Sequence, residues 1–169
     1  MLSSLLRGAG WFLVLALFFS LGRDQAVLRF EQDCILQAVT IHMGVSLRGT
    51  VAPPAVSLSS ATPPAAFQKA AQAEWDVMTD RLTNAYFAGR NWIFLIDTHS
   101  LYQQGRTLDD SLAHEYAHFL QVRYRAVNPA HNDRNEREAI AVEHWFRATF
   151  MSPFAPPHPC GLRPEHSRR

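Results

Sequence analysis

Residues 114–118 read His-Glu-Tyr-Ala-His, and their spacing suggests a specific chemistry. Residues four apart on a helix lie one turn apart on one face, so His114 and His118 can offer their imidazoles to one metal ion. Glu115 then stands beside the same ion. Zinc in such a place lowers the pKa of a bound water to about 7 and polarises a carbonyl, while the carboxylate takes the proton, which is the chemistry of amide hydrolysis at neutral pH. Eight histidines and seven glutamates would generate this pattern by chance somewhere in the chain only roughly one to two per cent of the time.

The pattern carries chemistry only on a helix, and its surroundings predict one over Thr107 to Arg125. That stretch contains neither Pro nor Gly, Thr107 can cap its start, and Asp109 and Asp110 sit in the first turn, where the helix dipole favours acids. Leu108, Leu112, Phe119 and Val122 interleave with the histidines, so the motif is expected to face a core or cleft and not bulk water.

Two imidazoles leave an ion short of ligands, and Glu136, Glu138 and Glu143 on the next helical stretch compete to complete it. Over Ser111 to Phe150 the chain resembles the gluzincin metallopeptidases, in which His-Glu-x-x-His is followed by a helix carrying a glutamate ligand. The resemblance implies an α+β fold, a minimal zincin-like single domain with a small sheet or hairpin, an active-site helix and a following ligand helix. It also implies one Zn2+ held by His114, His118 and either Glu136 or Glu138, with Glu115 as general base and a peptide or protein as substrate. Asn135 and Ala139 favour Glu136, while Ala141 keeps Glu138 open. The Asp that often braces a ligand histidine in that group is missing, because Ile140 or Val142 occupies its place, so support must come from elsewhere, with Glu143 as one candidate. This gap also leaves a non-hydrolytic zinc-binding protein of the same fold as the alternative. Gln121 and Tyr124 stand where a metzincin needs Gly and His, which disfavours that class, and Gln121 is similar to small families reading His-Glu-x-x-His-x-x-Gln. His99, Tyr102, Tyr124, His131, His158 and His166 are equal candidates for an oxyanion donor.

Arg7, the apolar run Trp11–Phe19 and the small residues around Ser20–Gly22 read as a secretory signal over 1–22, with an uncleaved anchor as the other outcome. The expected layout is then a zincin-like domain over 23–151 and a Pro-rich tail over 152–169, exported to the periplasm or the medium. In an oxidising compartment Cys34 and Cys160 can pair and pin that tail. They stand alone and far apart, with no Cys-x-x-Cys pair, which disfavours a Cys-based structural zinc site.

The remaining length, about 147 residues, suits one domain. A net charge of +1 with scattered basic residues gives no stripe for tracking phosphates, so no nucleic-acid partner is expected, and a membrane partner only if the first segment stays uncleaved. Helical spacing is expected over Val27–Met43 and helix formers over Ala65–Thr79, with a short strand at Ala55–Leu58. Asn84–Phe87 and Trp92–Ile96 read as a hairpin around Ala88–Asn91. By the same resemblance, Trp92–Ile96 is expected to be the exposed edge that pairs with an extended peptide.

Overall fold

The computed structural model describes residues 25–47, 51–128, 133–153 and 157–162. Its fold is α+β, with the elements in the order α1 (Gln32–His42), β1 (Ala55–Leu58), α2 (Pro64–Trp75), β2 (Ala85–Phe87), β3 (Trp92–Leu95), α3 (Leu108–Tyr124) and α4 (Asp133–Phe150). The signal or anchor expected over 1–22 lies outside the described residues. Among those described, no helix is long and apolar enough to cross a membrane.

The sheet corrects one expectation. Its order is β1-β3-β2, with β1 parallel and β2 antiparallel to β3, so Trp92–Leu95 forms the central strand and not an edge. The reason is legible in the run itself: Ile93 and Leu95 pack towards α3, while Trp92 and Phe94 pack with Phe67 of α2 on the other face. A strand covered on both faces is apolar at every position, whereas a half-solvated edge would alternate. The edge nearest the histidines is β2.

The hairpin is closed by a turn of 3-10 helix at Ala88–Arg90, after which Asn91 takes the left-handed conformation (φ 47°) that Asn tolerates better than most residues. Glu74 on α2 accepts from the backbone N–H groups of Ala88 and Gly89 at 2.7 and 2.9 Å and ties that turn to the outer helix. α2 stops at Trp75, short of the expected Thr79, because Asp76 turns left-handed at φ 54°.

α1 also begins later than its apolar spacing suggests. Asp109 accepts from the backbone N–H groups of Arg29 and Phe30, and Ala26 N–H donates to Asp97 O, so residues 26–30 are tied to the body in non-helical backbone. Val27 is accordingly exposed. The buried face of α1, with Ile35, Leu36 and Val39, joins Leu112, Tyr116 and Leu120 of α3 and Phe146 and Phe150 of α4 in the main core. Cys34 on α1 is bonded to Cys160, as the expected pairing required, and a short 3-10 turn at Pro159–Gly161 presents that second cysteine.

Candidate metal centre

α3 is buried almost all round, the position of a central helix. Its start is fixed by a capping box: Thr107 Oγ1 accepts from Asp110 N–H at 3.2 Å, and the Asp110 carboxylate accepts from Thr107 N–H at 3.1 Å. Asp110 goes further than a cap, because it also receives Arg147 of α4. Asp110–Arg147, His114–Glu143 and Gln121–Glu138 form a ladder that descends α3 as it climbs α4, so the two helices run antiparallel.

That register brings the motif and one of the competing glutamates together. His114 Nε2 and His118 Nε2 lie 3.1 Å apart, and Glu136 places its two oxygens 3.5 Å from the first and 3.3 Å from the second. A tetrahedral ion with bonds of about 2.0–2.1 Å needs its donor atoms about 3.3–3.4 Å apart, so the three side chains fit one divalent cation of zinc's size. All three are partly exposed, with Glu136 most so, and face a cleft of about 380 Å³. An open side is the mark of a catalytic rather than a structural zinc site.

Glu138 is placed elsewhere. Two residues along a helix is a rotation of about 200°, which puts it on the opposite flank from Glu136. There it accepts from Gln121 Nε2 at 2.9 Å and pairs with Arg125 at 2.6 Å. Glu143, two turns beyond Glu136, shares Glu136's face and is buried against His114.

Each imidazole has a partner on its far side. His118 Nδ1 donates to Gln121 Oε1 at 3.0 Å, and Gln121 is itself held by donating to Asn135 O at 3.0 Å and to Glu138. This buried glutamine thus links α3 and α4. Glu143 Oε2 stands 3.5 Å from His114 Nδ1, beyond a full hydrogen bond, and among the described residues that nitrogen has no hydrogen-bond partner. These two side chains flank the imidazoles where the sequence offers no bracing Asp. The Gln121 signal was present in the spacing from His118; Arg147, four residues after Glu143, was the sign that Glu143 turns inward.

Glu115 is almost wholly buried beside the histidines and the β2 backbone, where Tyr86 N–H donates to its carboxylate. Burial pushes its pKa above the usual carboxylate range, against the pull of His114 and His118. For His118 burial acts in the opposite direction, but the hydrogen bond it donates to Glu136 and the charge of Glu115 outweigh it and hold its proton more tightly than usual. The pocket therefore favours a positive charge at the point where the ligand atoms meet. Burial alone would raise Glu143, yet His114 and the nearby Arg106 and Arg147 keep it below the ordinary range.

The cleft is walled by Asn84, Ala85 and Tyr86 of the β2 edge, by Trp75, and by Arg106 and Asn128 from loops. None of the described oxyanion candidates lines it. Tyr102 donates to Ile96 O, Tyr124 packs on Phe119, His158 lies against Phe30 near the disulfide, and His99 sits in an exposed 3-10 turn. His131 and His166 lie outside the described residues. Sequence spacing missed Arg106 and Trp75, because both reach the cleft from segments that no motif connects to it. No family of known proteins, no curated sequence and no solved structure matches the chain.

Proposed function

We propose that this chain is a zinc-dependent peptidase in which His114, His118 and Glu136 hold the ion and Glu115 moves the proton. The observation that carries this reading is the set of donor separations, 3.1, 3.3 and 3.5 Å, which matches the edges of a tetrahedral site. When bound, the ion polarises the scissile carbonyl and lowers the pKa of the attacking water. Glu115 lies within the same cleft without being needed as a ligand, so its carboxylate can take the water's proton and return it to the leaving amine. Its buried setting supports this role, since a raised pKa brings a carboxylate closer to the operating pH of an acid–base catalyst. On the outer edge of β2 the Tyr86 N–H is donated to Glu115, and the Tyr86 carbonyl on that same side gives an extended peptide an acceptor to pair with, in place of the central strand expected from the sequence. The Cys34–Cys160 disulfide supports placing this chemistry in an oxidising compartment, in keeping with the proposed export.

The test is elemental analysis of the purified protein and of His118→Ala, Glu136→Ala and Glu138→Ala variants. One zinc per chain is expected in the wild type and in Glu138→Ala, with stoichiometric zinc lost from the other two. Folded wild type that takes up no zinc when the ion is supplied would remove the site altogether.

Gln121→Leu probes the support of the site. The substitution removes the acceptor of His118 Nδ1 and the tie to Asn135, and zinc affinity is expected to fall by about 10- to 100-fold. Competition with a chromophoric chelator measures this, and an unchanged affinity would show that Gln121 merely fills space between the helices.

A further inference from the structure

The described residues lining the cleft include three carboxylates, Glu115, Glu136 and Glu143, and one permanently cationic side chain, Arg106. Arg106 stands on the loop before α3 with nearly half of its side chain exposed (48%), and its Nε lies 3.5 Å from Glu143 Oε1. That oxygen already has a partner, because Arg147 reaches the same Oε1 at hydrogen-bond distance. The other oxygen of Glu143 faces His114. Arg106 is therefore the outer of two guanidinium groups drawn to one carboxylate oxygen, held near by charge but too far away for a full hydrogen bond. A guanidinium offers five N–H donors in a planar fork that fits a carboxylate bidentately.

We infer that Arg106 is a recognition site for a substrate carboxylate, and that the cleft favours peptides ending in a free C-terminal carboxyl group close to the scissile bond. This rests on the peptidase reading and narrows its substrate class. One carboxylate and one imidazole separate the guanidinium from the ligand atom His114 Nε2, a reach on the order of 10 Å, which two to three extended residues cover at about 3.3 Å each. The bond placed over the ligand atoms is accordingly two or three residues from the chain end. Elsewhere in the cleft a carboxylate would meet Glu115 or Glu136, whereas Glu143 beside Arg106 is already matched by Arg147, so the Arg106 end is where the walls accept one.

The experiment compares zinc-loaded full-length wild type, Arg106→Gln and Arg106→Lys on N-acetylated peptides of one sequence with either a free C-terminal acid or a C-terminal amide. Calorimetric binding of an N-acetyl dipeptide acid and its amide is measured in parallel, and zinc content serves as the check on folding. The wild type is expected to prefer the acid by about 10- to 100-fold in kcat/KM, as one charged hydrogen-bonded contact would give. That preference should vanish in Arg106→Gln and partly return in Arg106→Lys, which keeps the charge without the fork. An acid preference that survives in Arg106→Gln, or its absence from a wild type that cleaves both peptides, overturns the assignment. Lack of turnover on any peptide sinks the peptidase reading instead. In that case the acid-to-amide difference in binding, and its loss or persistence in Arg106→Gln, still decides whether Arg106 binds carboxylates.

Discussion

Exchanging Glu115 for Gln is expected to lower turnover by about 10²- to 10⁴-fold while leaving one zinc per chain, the range typical of losing a general acid–base group. The amide keeps the volume of the side chain in a place where only 4% of the residue is exposed, and its oxygen can still accept from Tyr86 N–H. What it loses is the capacity to take a proton. The three side chains proposed to hold the ion belong to other residues, so the ion is expected to stay. Folding should not suffer either. Glu115 holds a carboxylate in a setting that disfavours its charge, and an uncharged isostere relieves that cost, so the variant is expected to resist denaturant at least as well as the wild type. Steady-state rates on a quenched peptide, with zinc analysis and a denaturation curve on the same preparation, test all three statements. Turnover within tenfold of wild type would remove Glu115 from the mechanism, and lost zinc would show that it helps to hold the ion.

The same helix shows what could be read from sequence and what could not. The start of α3 was written in Thr107 and Asp110, because capping is a local matter of side chains three residues apart. The motif's one-turn spacing was equally local. The third side chain of the His114–His118 group was not, because Glu136 and Glu138 both lie on a helix, and choosing between them requires the rotation of α4 against α3. That rotation is set by contacts distant in sequence: Asp110 with Arg147, and Ala139, Val142 and Phe146 against the core. One clue was available, since Glu136 and Glu143 fall on one face two turns apart while Glu138 does not. The placement of β3 failed for a different reason. Its apolar run signalled burial on both faces, and that is a property of central strands, but the resemblance pointed to an edge. α1 was read too long because apolar spacing continues through Leu28, while the backbone there is claimed by Asp109 from 80 residues away.

The buried charges beneath the site follow a similar logic. Asp110 and Glu143 face Arg147 from one turn of each helix, and this cluster locks the register on which the His114–Glu136 separation depends. A buried ion pair contributes little net stability when its desolvation is counted, so its value here is geometric: in this register Arg147 meets both carboxylates at once.

Removing the disulfide by Cys34→Ala with Cys160→Ala is expected to destabilise the protein by about 2–5 kcal/mol without moving the ligand set. The two cysteines are 126 residues apart, so the bond closes almost the whole described chain into one loop. In the chain-entropy view a loop of that size restricts the unfolded state by up to about 5 kcal/mol, and measured losses run from about 2 kcal/mol upward. Little else in the described residues holds the Pro159–Gly161 turn: Pro159 is buried, His158 meets Phe30 edge-on at 5.2 Å, and Leu162 touches the core. These contacts are too few to replace a covalent closure. A domain of this size should lose roughly 4–20 °C in Tm for such a change. Zinc binding should persist below the transition, because α1 and the turn pack on the core side of α3 and contribute no residue to the cleft. Thermal melts of the double variant and of reduced wild type, each with zinc supplied, provide the check. A loss under about 1 kcal/mol would show that the unfolded chain is already compact enough for the crosslink to restrict it little, and lost zinc would couple the tail to the metal centre.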